Sequence, residues 1–164
     1  MGGRAGRKED MSRGAINFSS NDEYFTPKWL VDRFGKFDYD PATTREKSEE
    51  LGIENYDTIE TNGLNSDWTK YKRIWVNPPF TLKNEFLEKA QEYYTATGGD
   101  IYLLLPISYL TTRKFHETCG GGCIYIPNGR IKFENGVGGD VKSPAFGSII
   151  LKIDNKWSIR IMTI

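Results

Sequence analysis

The segment Arg73–Phe80 restricts the fold more than any other part of the sequence, because its apolar run leads directly into Asn77-Pro78-Pro79. Proline lacks a backbone N–H and has a fixed φ, so two consecutive prolines cannot continue a central strand or a helix. The pattern predicts a buried strand over 73–76 that ends in a sharp turn. Asn77 would then stand at the carboxyl end of a strand, where open α/β sheets bind their ligands.

The rest of the chain shows the alternation of helices and strands that is typical of an α/β protein. Helices are predicted over 83–94 and 110–116, and residues 44–50 form a loop or a short helix. A further helix is expected to have Thr26 as its N-cap, Pro27 as its first residue and Gly35 after its end. Strands are predicted at 37–40, 73–76, 101–105, 123–126, 131–133, 148–153 and 157–161. Since the later strands follow one another, we expect a mostly parallel sheet with an antiparallel end.

The length of 164 residues is typical of a single domain. Residues 1–20 are small, polar and charged without periodicity, so we interpret them as a flexible N-terminal arm. Residues 21–164 are expected to form the folded domain.

Charge and composition exclude several classes of protein. The formal net charge is zero, with 22 basic and 22 acidic residues, so a nucleic acid would have to be bound by a local basic surface. The longest apolar run, at 101–107, contains Pro106 and is far shorter than the roughly 20 residues of a membrane helix. Cys119 and Cys123 flank a glycine run and His116 is the single histidine, so no metal site is expected. The thiols and the absence of a secretory signal indicate a cytoplasmic protein.

Asn77 and Pro78 present groups that an aromatic amine needs in order to become a nucleophile. The lone pair of such an amine is delocalised into its ring. Two acceptors aimed at the amine hydrogens, the Asn77 side-chain oxygen and the Pro78 carbonyl oxygen, would favour a tetrahedral nitrogen, and the prolines would hold them rigidly. Phe80 would stack on the ring. The alternative is a plain turn at a strand end with a buried aromatic side chain.

Other short segments accompany this tetrapeptide in a fixed order. They are Tyr24-Phe25-Thr26-Pro27, Asp38-Tyr39-Asp40-Pro41-Ala42, Asn62-Gly63-Leu64 with Asp67-Trp68, Ile74–Phe80, Leu103-Leu104-Leu105-Pro106, Gly129–Phe133 and Ser143–Ser148. In this order they resemble the Dam-type DNA adenine methyltransferases of bacteriophages and prophages. The resemblance implies a Rossmann-like methyltransferase sheet, S-adenosylmethionine as methyl donor, DNA as substrate and transfer to adenine N6.

The resemblance also implies roles for individual residues. The catalytic residues would be Asn77, Pro78, Pro79 and Phe80. The cofactor-binding residues would be Tyr24, Thr26, Pro27, Asp40, Pro41, Ala42 and Asp67. On physical grounds alone, Asp40-Pro41 also fits a strand stop, and Asp67 also fits a capping residue before Trp68.

The sequence departs from the family pattern at two places. No glycine-rich loop follows Asp40-Pro41-Ala42, where the chain continues with Thr43-Thr44-Arg45. The pattern therefore assigns no contacts to the carboxylate of the methyl donor. Phe80 stands where family members often have tyrosine, and its ring still offers a face for stacking.

The length of the domain leaves no room for a separate target-recognition domain, so loops of residues 21–164 are expected to contact DNA. Basic residues in these loops would neutralise phosphates. They are Arg113, Lys114, Arg130, Lys132 and Lys142. Glycines at 136–139 predict a mobile loop that DNA would order, and the basic arm at 1–20 could follow the DNA backbone. The alternative for each basic residue is a solvated surface charge.

Two other functions fit the same residues. A methyltransferase could act on an RNA base or on a protein amide. A catalytically silent binding module on a methyltransferase fold would agree with the neutral charge and the missing glycine-rich loop.

Overall fold

A seven-stranded mixed sheet forms the centre of the structure, a computed structural model that describes residues 24–134, 141–142 and 144–164. The predicted arm at 1–20 and the glycines at 136–139 lie outside the described residues. The helices are α1 (Lys28–Asp32), α2 (Arg45–Leu51), α3 (Lys83–Thr97) and α4 (Arg113–Thr118). The strands are β1 (Tyr39–Asp40), β2 (Asn55–Tyr56), β3 (Arg73–Val76), β4 (Asp100–Pro106), β5 (Gly122–Pro127), β6 (Phe133–Glu134), β7 (Val141–Lys142), β8 (Ser148–Ile153) and β9 (Ser158–Met162).

The sheet has the order β2-β1-β3-β4-β8-β5-β9, and β6 pairs with β7 outside it. The expected α/β sheet with mostly parallel strands is confirmed, but the antiparallel strand is not at an end. It is β8, which lies between β4 and β5 and is antiparallel to both. The physical reason is its apolar character on both faces: Ile149, Ile150 and Leu151 are each 0% exposed. Strand β9, which is more exposed, lies at the edge of the sheet instead.

The helices agree with the predicted pattern except at the starts of α1 and α4. The helix predicted from residue 110 begins at Arg113, because the Thr112 side chain caps it, and Leu110 lies in the preceding 3₁₀ turn Ile107–Thr111. The prediction that Thr26 is the N-cap and Pro27 the first helical residue is wrong, because Pro27 occupies the N-cap position and the helix begins at Lys28. Thr26 is instead buried, at 3% exposure. The long helix α3 is confirmed and ends at Gly98, whose φ of 64° is the left-handed conformation that glycine adopts most easily.

Apolar side chains cover both faces of the sheet. One face packs against Phe86, Leu87 and Ala90 of α3, and the other against Leu30 and Val31 of α1. Among the described residues, no helix has the length and apolar character that crossing a membrane would require.

The strand order reverses between β1 and β3. From β1 the chain moves outward to β2, and it then returns to place β3 on the other side of β1, with β4 beyond it. Because these strands are parallel, their carboxyl ends lie at one edge of the sheet. A reversal of this kind opens a crevice at that edge, and it is here that α/β sheets bind ligands.

Candidate active site

A cavity of about 420 Å³ lies at the carboxyl ends of β1 and β3. Its size falls within the range of about 300–1,000 Å³ that is usual for small-molecule sites. Several residues that the sequence analysis singled out line it together. They are Tyr24, Thr26, Asp40, Pro41, Ala42, Asn77 and Pro79. Segments that are far apart in the sequence thus meet at the reversal of the strand order.

Asn77 follows β3 directly, and its side chain has a defined orientation. The carboxamide nitrogen Nδ2 donates a hydrogen bond of 2.5 Å to the carbonyl oxygen of Tyr24. The acceptor of the carboxamide is therefore Oδ1. Pro78 and Pro79 are buried, and the carbonyl of Pro79 accepts a hydrogen bond of 2.9 Å from the N–H of Leu82. The turn after β3 is consequently rigid on both sides of Pro78.

The segment 24–26 is fixed from the other side by β6. Phe25 and Glu134 exchange two backbone hydrogen bonds of 3.1 Å, as in a short antiparallel pair. The ring of Tyr24 contacts that of Phe133 edge-on, with 5.4 Å between the centroids. The residues next to Asn77 are thus held by a strand that belongs to the predicted DNA-contacting region.

Asp40 is a carboxyl group buried at the end of β1, with 2% of its surface exposed. Burial raises the pKa of Asp40 to about 7, although the N–H of Ala42 donates to Oδ1 at 3.0 Å and acts in the opposite direction. The turn after Asp40 is also closely packed, because a Cβ atom on Gly63 would lie 2.0 Å from the carbonyl oxygen of Pro41. Only glycine fits at position 63 without displacing this wall of the cavity.

Phe80 belongs to an aromatic cluster beside the cavity. Its ring centroid lies 5.4 Å from that of Tyr24 and 4.9 Å from that of Phe146, which it meets edge-on. The half-buried ring of Phe80 does not line the cavity itself. Phe146 was not singled out by the sequence analysis, although its segment, Ser143–Ser148, contributed to the resemblance.

Asp67 does not line the cavity. Its side chain accepts hydrogen bonds from the N–H and the hydroxyl of Thr69, at 3.0 and 2.6 Å, and caps the 3₁₀ turn Trp68–Lys70. The capping alternative for Asp67 is confirmed. Pro27 also lies outside the cavity lining, next to Thr26 at the start of α1.

The basic residues predicted to contact DNA do not form one cluster of free charges. Arg113 pairs with Glu117 at 2.5 Å, and Lys114 pairs with Glu88. Arg130 and Lys132 are exposed near β6, and the side chain of Lys142 lies outside the described residues. Contacts of these residues with DNA stay a prediction.

Lys47 is a residue of the site that the sequence analysis missed. It lines the cavity, yet its side chain is only 2% exposed, because its ammonium pairs with Glu50 at 2.8 Å and with Glu134 at 2.5 Å. The signal for its burial was the helical phase of α2, which places Lys47 on the face of the buried Leu51. The sequence around Lys47 does not indicate Glu134 as its partner, because the two residues are 87 positions apart.

The described residues contain no group of three or more His, Cys, Asp or Glu side chains arranged to hold a metal ion.

A model of the DNA N-6-adenine-methyltransferase (Dam) family matches residues 14–164. The chain is also similar to the DNA N-6-adenine-methyltransferase of Escherichia phage T1, with 35% identity over 89 residues. That match spans 52% of this chain and 36% of the phage T1 protein, so it covers about a third of the relative's length. The match to the family extends over nearly the whole chain, and the chain belongs to the DNA N-6-adenine-methyltransferase (Dam) family.

Proposed function

We propose that this chain is a DNA adenine N6-methyltransferase with a Rossmann-like sheet, which transfers a methyl group from S-adenosylmethionine to an adenine flipped out of DNA. The observation that carries the proposal is the position of Asn77 at the carboxyl end of β3. There it lines a cavity that is also lined by Asp40, on the neighbouring strand β1. Family membership and the similarity to the phage T1 protein support the same reaction.

The residues around the cavity fit S-adenosylmethionine. When bound, this donor supplies a methyl group that is activated by a positively charged sulfonium. Carboxylates favour such a cation, and Glu46 and Glu60 contribute two of them to the lining. The two cations of the lining, Arg45 and Lys47, are already paired with other carboxylates. Tyr24, Thr26, Pro41 and Ala42 would hold the uncharged parts of the donor, with Pro27 supporting Thr26 from outside the lining. Asp67, which caps the turn Trp68–Lys70, stays a proposed contact of the donor.

Asn77 and Pro78 would prepare the acceptor nitrogen. The Asn77 Oδ1 and the Pro78 carbonyl oxygen would accept the two hydrogens of the adenine N6 amine, so that its lone pair turns towards the methyl group. The hydrogen bond from Asn77 to Tyr24 and the two buried prolines keep these acceptors in place before the substrate arrives. Groups that are preorganised in this way need no rearrangement during the reaction.

Phe80 would stack on the flipped base, since its aromatic cluster borders the cavity at the Asn77 side. Arg130, Lys132 and Lys142 would contact phosphates near β6 and β7, and Arg113 and Lys114 would do so from α4. The site of action would be the cytoplasm of the bacterial host, in keeping with the phage origin of the relative.

The test is transfer of a radiolabelled methyl group to DNA, RNA and protein, with Asn77→Ala as the control variant. We expect label in adenine of DNA for the wild-type protein and strongly reduced label for the variant. Label in RNA or protein instead of DNA would show that the methyl acceptor belongs to that class of molecule, because the same pair of acceptors suits other planar amines. The absence of S-adenosylmethionine binding in a calorimetric titration would favour a silent binding module.

A further inference from the structure

Lys47 and Glu134 form an ion pair between parts of the chain that are distant in sequence. The Lys47 ammonium lies between two carboxylates, Glu50 on the same helix and Glu134 on β6. A buried ammonium is tolerated only when it is paired, and charge-assisted hydrogen bonds of this kind are strong and directional. The pair with Glu134 therefore fixes β6 against α2.

The peptide unit between Tyr24 and Phe25 connects Glu134 to Asn77. The N–H of this unit, on Phe25, donates to the Glu134 carbonyl oxygen at 3.1 Å. The carbonyl of the same unit, on Tyr24, accepts the hydrogen bond from Asn77 Nδ2 at 2.5 Å. A peptide unit is planar, so its N–H and its C=O turn together. The position of Glu134 consequently determines the direction of the acceptor that orients the Asn77 carboxamide.

We propose that Lys47 and Glu134 are positioning residues for Asn77. Their ion pair holds β6, β6 holds the Tyr24–Phe25 peptide unit, and that unit holds the carboxamide in the orientation required for methyl transfer. The proposal rests on the function proposed above for Asn77. Lys47 and Glu134 act through the peptide unit and are not required to touch the substrate base.

Glu134→Gln and Glu50→Gln form a matched pair of variants. Each replaces one of the two carboxylates on the Lys47 ammonium by an uncharged side chain of the same length. Only Glu134 belongs to the strand that binds Phe25. If the ion pair merely stabilised the buried ammonium, the two variants would behave alike.

Methyl transfer to DNA is the first measurement. A displacement of about 1 Å in a reacting group costs up to roughly 100-fold in rate, so we expect kcat to fall about 10- to 100-fold in Glu134→Gln. The KM for DNA is expected to change less than kcat, because neither Lys47 nor Glu134 is among the residues proposed to contact phosphates. Glu50→Gln should keep a kcat close to that of the wild-type protein. Melting temperatures of both variants show that each is folded at the assay temperature.

NMR of the free protein is the second measurement, and it does not depend on methyl transfer. Hydrogen exchange at the Phe25 N–H and the chemical shifts of the Asn77 side-chain amide report on the peptide unit and the carboxamide directly. We expect faster exchange and altered shifts in Glu134→Gln, with wild-type values in Glu50→Gln.

Three results would overturn the proposal: equal effects of the two variants, unchanged NMR signals in Glu134→Gln, or altered signals with an unchanged kcat. A wild-type protein that transfers no methyl group would instead refute the proposed function. In that case the NMR signals would still decide whether the ion pair positions Asn77.

Discussion

Asn77 and Tyr24 are joined by a hydrogen bond of 2.5 Å that spans 53 residues of sequence, from the Asn77 amide nitrogen to the Tyr24 carbonyl oxygen. The bond assigns the two ends of the carboxamide, because only the nitrogen can donate. The oxygen of Asn77 is therefore the group that an incoming amine meets. This arrangement allows the two ends of the side chain to be tested separately.

Replacement of Asn77 is expected to reduce methyl transfer while leaving donor binding nearly intact. Asn77→Ala removes one of two acceptors, and the loss of such a partner costs on the order of 3 kcal/mol in the transition state. Asn77→Asp keeps the shape, but an ionised carboxylate has no hydrogen to donate to Tyr24, so we expect a similar loss. Single-turnover transfer and calorimetry with S-adenosylmethionine measure the two quantities. Activity within a few-fold of wild type in both variants would contradict the role of Asn77.

Substitutions of Phe80 separate stacking from hydrogen bonding. Stacking of a base on an aromatic ring contributes roughly 1–3 kcal/mol, so Phe80→Ala should lower methylation of DNA by about ten-fold or more. Phe80→Tyr keeps the ring and should stay close to wild type. Binding to duplexes with a mismatch opposite the target adenine should be tighter than to paired duplexes, since flipping costs less there. Equal binding to paired and mismatched duplexes, together with an active Phe80→Ala, would argue against a flipped base.

Gly63 is predicted to be intolerant of even one methyl group. A Cβ atom there would meet the Pro41 carbonyl oxygen at 2.0 Å, so Gly63→Ala must displace the turn that follows Asp40. Such overpacking typically costs about 1–3 kcal/mol. Thermal melting should show the loss, and S-adenosylmethionine should bind more weakly. Gly129→Ala is the control, because its Cβ would meet only the end of the Ile164 side chain, at 3.3 Å.

The pKa of Asp40 makes a definite prediction for stability. Burial raises it from 3.8 in the unfolded chain to about 7 in the folded protein. Between these values the folded state binds the additional proton, so the contribution of Asp40 to stability falls as the pH rises from about 4 to about 7 and is constant above that. The full change is of the order of 4 kcal/mol. Asp40→Asn keeps an acceptor for the Ala42 N–H but has no such titration.

Urea unfolding of the wild-type protein and of Asp40→Asn at pH 5 and pH 8 provides the measurement. The variant should be more stable relative to wild type at pH 8 than at pH 5. An equal difference in the free energy of unfolding at both values would show that Asp40 is ionised throughout this range.

Local features of the sequence predicted the elements that end at strong chemical signals. The bounds of β3 agree with the prediction, because Pro78 and Pro79 prevent the strand from continuing beyond Val76. Helix α3 begins at Lys83 as predicted. The two-residue strand β2 was not predicted, since Asn55 and Tyr56 carry no alternating pattern. A pairing this short is determined by the neighbouring strand rather than by its own residues.

The candidate site was predictable only in part. Asn77 could be recognised because it follows an apolar strand, and Asp40 because it is the last residue of one before a proline. These strand ends meet at one edge of the sheet. The contacts that hold them in place could not be predicted. Lys47 and Glu134 are 87 positions apart, and no local pattern in the sequence indicates that their side chains form an ion pair. Such pairs are determined by tertiary packing alone.

The position of β8 has a consequence for how the protein assembles. Among the strands that the structure describes, β5 pairs with β8 and β9, and β8, at 148–153, lies between β5 and β4 although it follows both in the chain. The half of the sheet that contains β5 and β9 therefore cannot join the other half until β8 has been synthesised and inserted. Pairing of β8 with β4 closes a long loop, which makes it a slow step. During synthesis, the parallel strands β1 to β4 are therefore complete before β8 can pair with β4.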